Sequence, residues 1–181
     1  AAQLTERTQE MANQPIAKGV AKVPQVMQME SLECGAAALA MILAYYGKWM
    51  PLEQVRVDCG VSRDGSNAGN VLKAARFYGL EADGYKLEVQ TLMEHATFPC
   101  IIHWNFNHFV VWEGVEGKYA YINDPAMGRR KLTIEEVDDC YTGITLVFSV
   151  TDKFEKSKRK RTLFSFIKKR LKWQMAPIVA L

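Results

Sequence analysis

A chain of 181 residues that is 49% apolar, with 12 Gly and 6 Pro, can bury a core of its own as one globular domain, which excludes disorder over its whole length. Its four cysteines, at positions 34, 59, 100 and 140, stand 25, 41 and 40 residues apart; no CxxC ligand pair exists, and a structural metal site is not expected. The net charge of +3 is unevenly spread: residues 153 to 172 carry ten Lys or Arg and one Glu, a balance of +9, and the other 161 residues sum to −6.

Residues 1–22 are polar with weak periodicity and are expected as a loose arm. No apolar run of signal-peptide type begins the chain, so a reducing compartment and free thiols are expected. From Cys34 to Tyr46 an unbroken run of Ala, Leu, Met and Ile predicts a buried helix, stopped by Gly47. Pro51 opens a short helix that ends at Cys59-Gly60. A turn-rich loop follows, in which Ser66 or Asn67 caps a helix over Gly69 to Tyr78.

Beyond Gly79 the pattern becomes strand-like. A strand near Ala82 to Leu87, one or two helical turns in VQTLMEHA and a buried strand over Pro99 to Trp104 are expected. HFVVWEGV and KYAYIND read as a hairpin around Glu116-Gly117. Thr133, with Glu136 three residues on, forms a capping box for a short helix, and ITLVFSV is a last strand near which the domain closes, at Val150. Helices packed against a C-terminal antiparallel sheet make an α+β domain.

Cys34 falls in the first turn of its helix, where unpaired backbone N–H groups and the positive end of the helix dipole favour a negatively charged sulfur. Gln28, six residues earlier, can place an amide donor beside an oxygen held next to Cys34. A thiol nucleophile needs a base and a group that orients the base. His95 ends a polar helix and His103 sits within a strand, whereas His108 opens a strand after a loop, where a side chain can face a cleft. A three-residue hairpin loop of Val115, Glu116 and Gly117 would set His108 directly opposite Asp124. A two-residue loop would shift the pairing by one and spoil that arrangement.

Gln28, the ECGAAALAMI segment from Glu33, NHFVVWEGV from Asn107 and INDPAMG from Ile122 closely resemble the double-glycine leader peptidase domain of bacteriocin and lantibiotic ABC exporters, over roughly Val23 to Val150. The resemblance implies a papain-like cysteine protease fold. It also implies an endopeptidase that cuts precursor leaders after Gly-Gly, with Cys34 as nucleophile, His108 as base, Asp124 orienting it and Gln28 as oxyanion donor. It implies no cofactor for the peptidase domain, with ATP used only by the nucleotide-binding domain of a full-length exporter. The implied partners are a precursor peptide with a helical Gly-Gly leader and a second copy of the full-length protein. The alternative is a non-catalytic domain of the same shape that only docks the substrate peptide for the transporter. Trp104 is the candidate wall of a cleft narrow enough to admit only glycine, and the helix from Gly69 to Tyr78 is the candidate surface for an apolar leader face.

In residues 151–181, Leu163, Phe164, Ile167 and Leu171 share a helical face among basic residues, the pattern of a juxtamembrane helix lying on an anionic membrane surface. The final MAPIVAL reads as the first residues of a transmembrane segment, too short to span by itself. Nucleic acid is not expected as a partner, because no basic patch with aromatic stacking appears before the tail. Taken with the resemblance, which implies part of a bacterial exporter, these features lead to the expectation of a domain on the cytoplasmic face of the cell membrane.

Overall fold

The computed structural model describes residues 14–63 and 65–157. Its centre is α1 (Cys34–Tyr45), in which all 12 residues are buried. Such a helix needs no amphipathic stripe, because it packs against protein on every side. Leu39, Met41, Ile42 and Leu43 each contribute roughly 1.5–3 kcal/mol through burial. Gly47, at φ 99°, takes the left-handed conformation that ends the helix, and the Lys48 N–H donates to Leu43 O at 2.8 Å. Two further helices flank it: α2 (Leu52–Asp58) and α3 (Ala68–Phe77), the latter capped by Asn67, whose side chain accepts from the Asn70 N–H. Val71, Ala74 and Ala75 of α3 face the core, which leaves Phe77 as its large exposed apolar side chain.

An antiparallel sheet lies behind the helices. Its strands are β2 (Leu80–Lys86), β3 (Cys100–Trp104), β4 (His108–Glu116), β5 (Tyr119–Asp124), β6 (Gly128–Thr133) and β7 (Tyr141–Val150), in spatial order β2-β7-β3-β4-β5-β6. β1 (Gly19–Val20) pairs with β4 where β3 has ended. Alternation divides the core between the two faces of the sheet. Ile101, Phe109, Val111 and Leu146 pack with α1, whereas Ile102, Val110, Trp112 and Ile122 pack with α4 (Val89–His95) and α5 (Ile134–Cys140). The capping box of α5 forms as its sequence predicts, with Thr133 Oγ1 accepting from the Glu136 N–H and Glu136 Oε2 from the Thr133 N–H.

The β4–β5 register departs from expectation. Glu116 pairs with Tyr119, so the turn is the two residues Gly117 and Lys118, and a three-residue loop does not form. A bulge then intervenes: Gly114 faces Tyr121, but Trp112 faces Ile122, which leaves Glu113 as the extra residue. The bulge side chain is buried; its carboxylate accepts from the Val23 N–H, from Asn123 Nδ2 and from Arg129 Nε at 3.1–3.2 Å. Gly114 is needed here, because at φ 142° a Cβ would meet Gly19 O at 2.0 Å.

The end of the expected arm joins the sheet: Ile16 exchanges backbone hydrogen bonds with Phe98, and the Ala21 N–H donates to Glu113 O. Residues 1–13 lie outside the described residues. β6 has no counterpart in the sequence reading, because GRRKLT is an edge strand whose charged side chains hide the alternation. Residues 151–157 form no helix; Phe154 packs on the core and Ser157 hydrogen-bonds to Gly47 and Trp49. The rest of the expected juxtamembrane helix, residues 158–181, lies outside the described residues. Among the described residues, no helix is long and apolar enough to cross a membrane.

Candidate active site

A 3₁₀ turn over Ser31–Glu33 delivers the chain into α1, so that Cys34 becomes the first helical residue. Glu33 holds this corner. Its buried carboxylate accepts from the Met29 and Glu30 N–H groups at 2.9 and 3.1 Å and from Arg56 at 3.0 Å. Gly35 is pressed against the loop before α3. A Cβ at this position would meet Ser66 Cβ at 2.5 Å, and the Gly35 N–H donates to Ser66 Oγ at 3.2 Å. Ser66 in turn donates to Leu32 O. The sequence reading weighed Ser66 only as a helix cap; Asn67 takes that role, and Ser66 instead ties its loop to the helix start that carries Cys34.

His108 sits between two groups. Its Nε2 lies 2.8 Å from Asp124 Oδ1, and it lines the same cleft as Cys34. Burial alone would pull this imidazole down, but hydrogen bonds and charge from Asp124 and Cys34 outweigh it and raise it to about 9. Burial likewise acts to raise the Asp124 carboxyl, yet the His108 hydrogen bond and the Ala126 and Met127 N–H groups that Oδ1 accepts hold it below its ordinary value. The aspartate is thus an acceptor fixed by its own turn, aimed at the imidazole. Arg130, at 3.9 Å from Asp124 Oδ2, adds positive charge that the sequence reading did not anticipate.

These groups open into a cleft of about 690 Å³, which Gln28, Cys34, Ser66, Trp104, His108 and Asp124 help to line. The four expected site residues and Trp104 therefore come together. The segment carrying Gln28 docks on the turn after Asp124 through a 2.9 Å bond from the Gln28 N–H to Pro125 O. Gln28 Oε1 is buried and meets no donor among the described residues. Trp104 pairs with His108 across the β3–β4 turn and is buried. His103 also borders the cleft, with Nδ1 2.8 Å from Thr142 Oγ1 and its ring against Phe109; burial and the charge of His108 lower its pKa. His95 is exposed at the end of α4, remote from this group. The other three thiols are free, and burial pushes Cys59 up to about 12 and raises Cys100 as well.

Residues 22–153 match the Peptidase C39 family. The chain belongs to that family. It is 70% identical to a double glycine motif protease from an AMS/PCAT transporter, whose crystal structure was solved in complex with the leader peptide. That match covers 76% of this chain and 99% of the other, with a TM-score of 0.75. The peptidase domain of Streptococcus ComA, at 24% identity and a TM-score of 0.66 over 70% of this chain and 97% of that one, shares the fold. Among longer relatives, the colicin V secretion/processing ATP-binding protein CvaB of Escherichia coli is 36% identical over 125 residues, which are 69% of this chain and 18% of that protein. The chain thus spans about a fifth of the length of that curated relative. The expected α+β, papain-like arrangement is the one these C39 domains share, and the chain is a cysteine peptidase domain of the C39 family.

Proposed function

We propose that Cys34, His108 and Asp124 act as a catalytic triad, with Gln28 as oxyanion donor, to remove a leader by cutting after a Gly-Gly pair. The observation that carries this reading is an imidazole hydrogen-bonded at Nε2 to a buried aspartate, in the cleft it shares with Cys34, the first residue of a buried helix. The imidazole takes the Cys34 proton and stays as imidazolium beside the thiolate, a state that its raised pKa favours. The sulfur attacks the carbonyl carbon of the second glycine. Negative charge then develops on the carbonyl oxygen, which accepts a hydrogen bond from the Gln28 side-chain amide. His108 returns the proton to the leaving amine as the C–N bond breaks. Water, deprotonated by the same imidazole, then releases the leader from the thioester.

Trp104 walls the cleft beside His108 and accounts for a requirement for residues without Cβ. The leader itself is gripped by an apolar surface away from the cut, for which exposed Phe77 on α3 is the candidate contact. In a full-length exporter this domain works on the cytoplasmic face of the membrane, with its basic C-terminal tail beyond residue 157 serving the lipid surface and the transporter acting as a homodimer.

The deciding experiment incubates the 181-residue chain with a peptide bearing a helical leader and a Gly-Gly pair, and reads the products by mass spectrometry. Cleavage after the second glycine by the native chain, with none by C34A or H108A, is expected. Leader binding without cleavage by the native chain would instead mark a docking domain.

A further inference from the structure

The turn that joins β3 to β4 carries an unusual residue at its tip. Asn105 and Phe106 both take positive φ, 47° and 61°, and the Asn107 N–H closes the turn onto Trp104 O at 3.2 Å. Asparagine adopts this conformation readily, but at the second position such turns favour glycine, and an aromatic residue there is strained. The surroundings hold the strain in place: the Asn105 N–H donates to Cys140 O at 2.8 Å, so the base of the turn is fixed to the end of α5. The ring gains no burial in return, because Phe106 is 83% exposed. It nevertheless borders the same cleft as Cys34 and His108.

We propose that Phe106 is a specificity residue for the substrate side chain that follows the cut, and that it takes an apolar one. The position of the turn determines the side. His108 must deliver a proton to the departing amine, so the residues after the scissile bond leave past the imidazole, and Phe106 is on the turn that leads directly into His108. An apolar side chain at the first position of the released product covers the exposed ring, and a polar or charged one does not. This assignment rests on the peptidase reading above and adds a requirement on the product side of the bond.

The test uses the full chain and peptides that share one leader and Gly-Gly pair and differ only in the next residue, Leu or Phe against Ser or Asp, with kcat/KM measured for each. The native chain is expected to favour the apolar set by about 10-fold. Phe106→Ala and Phe106→Gly should both reduce that preference to within about twofold by losing rate on the apolar set alone. Phe106→Gly should melt no lower than the native chain, because glycine accepts the turn without strain. Absence of a preference in the native chain, an unchanged preference in both variants, or an equal loss on every peptide with a lowered melting temperature would overturn the proposal. Failure of the native chain to cut any peptide would instead defeat the Gly-Gly peptidase reading on which it rests.

Discussion

His108 meets Asp124 diagonally across the β4–β5 pair. Register places position 110 opposite Asp124, yet Nε2 and Oδ1 lie 2.8 Å apart because residues 108 and 110 share a face of the strand. A two-residue turn by itself would have set the two groups on opposite faces, and the extra residue Glu113 restores the parity.

Deleting Glu113 should therefore turn His108 away from Asp124 and abolish cleavage, even if the fold survives. Gly114→Ala tests the same bulge with a smaller change. Its Cβ meets Gly19 O, so a loss of stability on the order of 1–3 kcal/mol is expected, along with weakened docking of β1. Urea midpoints and peptide turnover measured together check both. Full activity in the deletion variant would show that the diagonal contact is dispensable.

The pH dependence follows from two opposite shifts. The folded-state pKa of His108 is raised from about 6.5 to about 9, so its stabilising contribution is complete below about 6.5 and is lost as pH climbs through about 9. Asp124 is shifted downward, so its contribution is present above the ordinary carboxylate value and is lost as pH falls through the lowered one. Turnover should fall above about pH 9 as the imidazolium that protonates the leaving amine disappears. In Asp124→Asn this alkaline limit should move to lower pH, with the fold retained, as kcat/KM profiles and circular dichroism would report. An unmoved limit would mean that Asp124 does not hold the imidazole.

Gln28→Ala should lower kcat by roughly 100-fold to 1000-fold while leader affinity stays within a few-fold. The backbone bond from the Gln28 N–H to Pro125 O is untouched by this change, so the segment stays docked. Single-turnover kinetics would separate the two quantities, and an effect confined to KM would reassign Gln28 to substrate binding.

Residues 151–157 belong to the folded unit as far as packing is concerned. The Phe154 ring lies 6.4 Å from that of Tyr46, and the Ser157 N–H donates to Gly47 O at 3.1 Å, just past the end of α1. A chain ending at residue 157 should keep its stability, whereas one ending at 150 should lose about 1–3 kcal/mol with the burial of Phe154. Denaturation of the two truncated chains compares them directly, and identical midpoints would show that this strap is passive.

From the sequence alone, the residue types of the site and the elements that carry them could be read. The apolar run from Cys34 predicts the buried helix, Gly47 its end, and the spacing of His108 and Asp124 two strands of one hairpin. These are local properties, set by backbone conformational preference and by short-range alternation. Tertiary structure decided how the site is assembled. The bulge at Glu113 depends on a carboxylate that answers Asn123 and Arg129 on the two neighbouring strands and Val23, far away in sequence, and no alternation within the hairpin announces it. The packing of Ser66 against Gly35 arises in the same way, from a loop pressed against the start of α1. β6 and the pairing of Gly19 and Val20 are edge features whose charged or glycine residues carry no alternation. Register and close approach are settled only when the whole core is in place, because each depends on which distant backbone groups remain to be paired.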